Sequence, residues 1–285
     1  MPLTFQPVDP ARLASCEALF RLCFPGAAHL DADYLQWLYA DNPDGAVVGF
    51  DAWDGPTLAA HYACIPARAV IGGETCRVLL SLNTATAPAY QGQGLFTRLA
   101  TLTYERAAAE GFRAVYGVAN ANSTPGFLRK LGFTLVCPLQ ARLGVGRLFE
   151  GDGRNNGDFD PSSLDFRREW SPAALAWRQT NPLASVSTRA RSGASAFYAR
   201  TRWPLVTACA ELPLPAVADD GPAPTPFRVF IGTVPQGLRL RRTWWPIPEF
   251  LKPSPLNLIY RDLQQPGFAP AAERALVSFL DFDAF

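Results

Sequence analysis

From Val78 to Thr97 the chain carries no charged residue, and inside that run its hydrophobic period changes from two to 3.6. Residues 78–86 read as a buried strand, Gln91-Gly92-Gln93-Gly94 as a glycine loop, and Leu95, Phe96, Leu99, Ala100 and Leu102 as the apolar face of a helix that Gly111 closes. Asn83, Pro88, Gln91 and Gln93 make the run a poor membrane span, so it is expected to be strand plus loop in a core. A strand feeding glycines that open directly into a helix brings backbone N–H groups and a positive dipole end to one point. That is an anion site, suited to a pyrophosphate.

The flanking sequence sets the context. Residues 3–8 alternate as a short strand, and Asp9-Pro10 caps a helix expected to run to about Phe20. A second helix covers about 32–40 and stops before Asn42-Pro43. Strands are expected at 46–53, at 57–71 with an interruption at Pro66, and at 76–86, separated by turns at Asp54-Gly55-Pro56 and Gly72-Gly73. After the loop and its helix come a short strand at 114–118 and a helix opened by Thr124-Pro125 and ended by Leu131-Gly132. An antiparallel meander followed by strand, loop, helix, strand and helix is a mixed α/β pattern.

At 285 residues the chain is long enough for about two domains. Of its 26 prolines, 16 follow residue 150, and residues 151–163 are polar and turn-rich. The expected division is therefore a first domain at 1–150, a linker at 151–163 and a second α/β domain at 164–285. An echo connects the two: Trp37 before Asn42-Pro43, and Trp177 before Asn181-Pro182. Net charge is +1 and the basic residues, nearly all Arg, form no stripe, which argues against nucleic acid as a partner. Six cysteines (Cys16, Cys23, Cys64, Cys76, Cys137, Cys209) and two histidines (His29, His61) show no metal-ligand spacing, so free buried thiols and no metal are expected. No apolar span or leader pattern stands out, and the cytosol is the expected compartment.

Among phosphate loops, the GxxxxGK[ST] form is missing, and Thr97 stands where a dinucleotide fingerprint needs its third glycine. Gln91-Gly92-Gln93-Gly94-Leu95-Phe96 resembles instead the [Q/R]xxGx[G/A] signature of the GNAT superfamily of acyl-CoA-dependent N-acyltransferases, and Phe-Leu-Arg-Lys-Leu-Gly-Phe at 127–133 resembles the end of that fold's last helix. The resemblance covers most of residues 1–140. It implies a GNAT fold with a mixed, mostly antiparallel sheet flanked by helices, and a second domain that is a possibly degenerate copy without the loop. It implies acetyl-CoA or another short acyl-CoA as donor, held by Gln91, Gly92, Gln93, Gly94, Leu95 and Phe96 at the pyrophosphate and by Thr84, Ala85, Thr86 and Asn120 along the pantetheine arm. Two positions depart from the family pattern. Phe96 replaces a small residue, and the Tyr that often protonates the thiolate falls on Phe127 or Leu128.

Acyl transfer from a thioester needs a neutral amine, a stabilised oxyanion and a protonated leaving thiolate. Around the loop-bearing strand the polar candidates are His61, Tyr62, Ser81 and Asn83, with His61 first because its ordinary pKa of about 6.5 suits a base acting directly or through water. In the second half, Trp170, Trp177, Trp203, Trp244 and Trp245 supply aromatic area and Arg178, Arg202, Arg241, Arg242 and Arg261 could face an acidic substrate. Residues 252–260 read as turn plus strand and 279–285 as a terminal strand with Asp281 and Asp283 on one face. Asn120 to Ser123 and the Pro-Ser-Pro-Leu-Asn-Leu segment also resemble N-acyltransferases of bacterial surface-polysaccharide amino sugars. The expected acceptor is a small-molecule amine, an amino sugar first, with an amino acid, antibiotic or lipid amine as alternatives. A noncatalytic acyl-CoA sensor is the alternative from another class. Membrane partners are not expected, and a homodimer is compatible with the resemblance.

Overall fold

A computed structural model describes residues 2–27, 29–150, 159–191, 194–212, 224–251 and 254–282. In chain order the elements are β1 (Thr4–Pro7), α1 (Leu13–Cys23), α2 (Ala32–Tyr39), β2 (Val48–Asp54), β3 (Thr57–Ile71), β4 (Glu74–Thr86), α3 (Leu95–Ala109), β5 (Ala114–Ala119), α4 (Thr124–Lys130), β6 (Thr134–Pro138) and β7 (Gln140–Val145). They continue with β8 (Phe166–Arg168), α5 (Pro172–Gln179), β9 (Val186–Arg191), β10 (Ala194–Arg200), β11 (Val206–Leu212), β12 (Phe227–Gly232), β13 (Trp244–Pro246), β14 (Asn257–Asp262) and β15 (Ala275–Leu276). Two compact units result: residues 1–68, 76–135 and 259–269 form the first, and 69–75, 136–258 and 270–285 the second. The chain thus visits the second unit at 69–75, changes unit again between Leu135 and Val136, returns to the first at 259–269 and ends in the second, instead of dividing at 151–163. Residues 151–158 of that expected linker lie outside the described residues.

In the first unit the strands run in the order β1-β2-β3-β4-β5-β14-β6. β1–β2 and β2–β3 are antiparallel, and β4–β5 is the parallel step that the α3 crossover allows. Capping follows the sequence: Asp9 accepts the Ala11 N–H ahead of α1, and Asp31 accepts the Tyr34 N–H at the start of α2. β3 runs unbroken through Pro66, whose carbonyl accepts from the buried Asn42 side chain at 2.8 Å. Because side chains alternate along β3, Tyr62 points to the α3 side, among Leu79, Leu99, Tyr104, Val115 and Phe127, while His61 points to the α1 side, against Phe20.

The second unit repeats this plan. Its sheet runs β13-β7-β12-β11-β10-β9, with an antiparallel β9-β10-β11 meander followed by a parallel β11–β12 step. Helix α5, capped by Ser171, precedes the meander as α2 precedes the first. The Asn echo is structural too: Asn42 Oδ1 accepts the Asp44 N–H at 3.0 Å and Asn181 Oδ1 the Leu183 N–H at 2.9 Å, and both residues are buried. Residues 279–281 form a single 3-10 turn, not a strand. Asp281 is buried there, accepting from the Ser278 N–H and the Trp170 indole, so its role is structural, and Asp283 lies outside the described residues. Of the tryptophans, Trp170, Trp177 and Trp244 are core, whereas Trp203 and Trp245 are exposed. No described helix is long and apolar enough to cross a membrane.

Candidate active site

The glycine loop has the form its sequence implied. Gly92 and Gly94 sit at φ +77° and +73°, conformations that L side chains adopt only under strain, and a Cβ built on either would meet nothing within 4 Å. The open space over the loop is therefore not filled by protein. Gly94 is the N-cap of the fifteen-residue α3 and offers no side-chain cap, so the first-turn N–H groups and the helix dipole face that space. Gln91, Gly92, Gln93 and Gly94 are exposed, and the Gln91 side chain donates to the Thr86 carbonyl at 3.2 Å, tying loop to strand. Leu95 turns into the core.

Next to the loop, two strands part. β4 and β5 pair from Val78↔Ala114 to Ser81↔Gly117, yet β4 continues through residues 82–86. Thr84 and Thr86 are half-buried along this stretch and Ala85 is buried. Asn83 is the only described non-glycine residue at positive φ, +43°, so the strand is locally twisted where it leaves its partner. Asn120, just past β5, does not send its oxygen across the gap. Its Oδ1 accepts the N–H groups of Asn122 and Ser123, both at 3.0 Å, closing the turn that leads into α4.

Burial of Tyr62 and the packing of Phe96 bear on two expected contacts. Tyr62 is fully buried with its hydroxyl 2.5 Å from Tyr104 Oη and 2.7 Å from Ser81 Oγ, and burial holds its phenol well above the ordinary value. It is a core hydroxyl and cannot exchange protons with a substrate. Phe96 does not crowd the loop; its ring packs edge-on against Tyr62 and Phe127. Phe127 itself is buried against Phe133, so one of the two positions that the family pattern gives a Tyr carries a core aromatic ring.

His61 is also fully buried and cannot touch a substrate. Its Nδ1 lies 2.7 Å from Asp51 Oδ1 and 3.8 Å from Cys16 Sγ, and its Nε2 lies 2.9 Å from the Tyr39 hydroxyl, to which Asn83 Nδ2 donates at 3.0 Å. Of the candidate bases, the structure thus links His61 and Asn83 in one chain and leaves Tyr62 on the other face. Asp51 and Tyr39 carry no motif in the sequence, whose one sign of them is an acid inside an otherwise apolar strand. Cys16, Asp51 and His61 could also present metal-ligand atoms to one another, but Asp51 and His61 already satisfy each other by a hydrogen bond.

Burial alone would lower the pKa of His61, but the Asp51 carboxylate and the Cys16 contact outweigh it and push it up to about 9. Since an exposed imidazole titrates near 6.5, the folded state holds the proton over the interval between. The stabilisation is complete below about pH 6.5 and is lost as the pH climbs through about 9, a change on the order of 3 kcal/mol. Urea unfolding at pH 6.5 and 9.5 should show that fall in wild type and a much smaller one in His61→Asn. A flat wild-type profile would mean that the pair does not share a proton with the fold.

Residues 5–136 match the family model of an acetyltransferase (GNAT) domain. No curated protein matches the chain by sequence. Among solved structures, a GCN5-related N-acetyltransferase from Anabaena variabilis is similar at a TM-score of 0.61 with 10% identity, over 92% of this chain and 73% of that one. A protein of unknown function from Enterococcus faecalis, described as a probable N-acyltransferase, gives 0.60 and 9% over 93% and 73%, and Eis1 from Mycobacterium abscessus gives 0.58 and 11% over 93% and 74%. At such identities the likeness is one of fold, and it extends over both units. The glycine loop, the parting strands and the family match come together in residues 5–136, which are an acetyltransferase domain of the GNAT family, the class of acyl-CoA-dependent N-acyltransferases.

Proposed function

We propose that this chain transfers a short acyl group from acyl-CoA to the primary amine of a small molecule, an amino sugar, free or nucleotide-linked. The observation that carries the donor side is the cradle at Gly92 and Gly94: positive φ, open space and an uncapped helix start in one place. Acyl-CoA, when bound, supplies the activated thioester. The loop N–H groups hold its pyrophosphate, and the extended backbone at Thr84, Ala85 and Thr86 offers hydrogen bonds to the pantetheine arm as an added strand would. Backbone N–H groups of β4 beyond Ser81, where its pairing with β5 ends, take up the negative charge that grows on the carbonyl oxygen. Neither Phe127 nor Leu128 can give the departing sulfur its proton, so that proton comes from water.

The amino sugar rests on the resemblance of Asn120 to Ser123 and of the 253–258 segment to surface-polysaccharide acyltransferases. The six free thiols accord with a cytosolic setting, where acyl-CoA is made. Phe127 favours a second reading, a noncatalytic acyl-CoA sensor. Thiol release from acetyl-CoA, followed over hexosamines, their nucleotide-linked forms, an amino acid, an aminoglycoside and a lipid amine, separates the two. An amino sugar should exceed the other amines by at least about tenfold in kcat/KM. Tight acetyl-CoA binding with no thiol release on any amine would replace the enzyme by the sensor. Light scattering of the same sample reads whether the working species is a monomer or the homodimer.

A further inference from the structure

We propose that Asn83 is the side chain that grips the acceptor amine, and that the buried chain Asp51, His61, Tyr39 decides which end of its carboxamide faces the slot. The inference rests on the acyltransferase reading and names the acceptor-side residue of the same site. Asn83 stands where β4 has left β5, half-buried and at φ +43°. Its Nδ2 is committed to the Tyr39 hydroxyl, while its Oδ1 has no hydrogen-bond partner among the described residues and is not a buried orphan. An accessible amide oxygen beside the gap is an acceptor for an amine N–H.

The orientation of that amide follows from donor and acceptor arithmetic. The Asp51 carboxylate only accepts, so His61 carries a hydrogen on Nδ1. With the imidazole neutral, Nε2 is bare and takes the Tyr39 O–H; the phenol oxygen is then free to accept from Asn83 Nδ2, and Oδ1 is left for the amine. With the ring protonated, Nε2 donates to the phenol oxygen, and the Tyr39 O–H needs an acceptor. Its other partner is Asn83, so the amide turns over and presents its NH2 to the slot, where it opposes an amine N–H. The groups facing His61 are Asp51 from β2, Cys16 and Phe20 from α1, and Tyr39 from α2; Cys64 is a further neighbour of Tyr39. The raised pKa of His61 puts the turnover within reach of a pH profile.

The test uses steady-state kinetics with acetyl-CoA and the fastest amine of the panel, in wild type, Asn83→Gly and Tyr39→Phe. Glycine keeps the positive φ while removing the carboxamide, and phenylalanine keeps the ring while removing the hydroxyl. Above about pH 9, where the imidazole is neutral and Oδ1 faces the amine, both should raise the amine KM about tenfold, the loss of one well-placed hydrogen bond, with the acetyl-CoA KM and calorimetric affinity within about twofold of wild type. Calculated on free-base amine, the wild-type KM should fall as pH rises through about 9, and Tyr39→Phe should abolish that fall. A purely structural role would leave the profile in place. Wild-type turnover with an unchanged amine KM in Asn83→Gly overturns the inference alone, as does a variant that loses acetyl-CoA affinity in step with amine affinity. Absence of wild-type turnover on every amine overturns the acyltransferase reading and this inference with it.

Discussion

A chain ending at residue 150 will not fold. The first unit takes β14 from the far end of the sequence and places it between β5 and β6, so truncation removes an interior strand of the sheet. Ile259 belongs to the same core as Leu79, Val115 and Phe127, and Tyr260 is likewise buried; each contributes about 1.5–3 kcal/mol. Asp262, whose side chain is inaccessible, bonds Arg113 at 2.8 Å, the Leu263 N–H donates to the Arg113 carbonyl at 2.8 Å, and Arg261 donates to the Leu131 carbonyl at 2.6 Å. Without these, β5 and β6 lose their common partner and Arg113 loses its carboxylate. The combined loss reaches the whole stability of an ordinary domain, about 5–15 kcal/mol. Residues 151–285 should fail for the matching reason, since they lack β7, which lies between β13 and β12. Circular dichroism and thermal melting check both fragments. Residues 1–138 joined through a flexible glycine linker to 256–269 should recover a cooperative melt, and a folded 1–150 fragment would show that β14 is dispensable.

This exchange explains what could be read in advance. The order of elements in residues 1–135 was legible because each is signalled locally: Asp9 and Asp31 as caps, Gly92, Gly94 and Gly111 at positive φ, a change of period at Leu95. The partner of β5 was not, because it comes from a strand more than a hundred residues away whose own sequence looks like any other short strand. The turn-rich 151–163 segment therefore suggested a boundary that the sheet does not respect.

The site divides the same way. The loop is a local feature and was readable as a backbone cradle. The His61 environment depends on register. An unbroken hairpin through Asp54↔Thr57 and Trp53↔Leu58 would set Asp51 opposite Ala60, but a bulge between Ala52 and Trp53 moves it opposite His61. One inserted residue thus converts a candidate base into the middle of a buried chain, and nothing in the order of side chains announces the bulge. Phe96 was ambiguous for a related reason: its family position is beside the phosphate, whereas its direction is set by the helix, which turns it toward Tyr62 and Phe127.

Gly94→Asp should abolish donor binding while sparing the fold. Gly94 is the N-cap of α3, where a carboxylate is a favoured capping group that complements the helix dipole. Its Cβ would meet no protein atom within 4 Å, so the cost to the fold is the positive φ alone, about 1 kcal/mol, partly offset by the new cap. The same carboxylate would occupy the N–H groups proposed for the pyrophosphate and set a negative charge against it. At a separation of about 4 Å and an effective dielectric near 20, that repulsion approaches 4 kcal/mol before screening. The expected loss of acetyl-CoA affinity is on the order of a hundredfold or more, with the melting temperature within a few degrees of wild type. Calorimetric titration of acetyl-CoA into both proteins reads the first quantity and a thermal melt the second. Desulfo-CoA should lose affinity equally, because its pyrophosphate is intact and the thioester plays no part in this contact. Affinity preserved in Gly94→Asp would move the pyrophosphate away from α3 and leave the open space above Gly92 and Gly94 without its ligand.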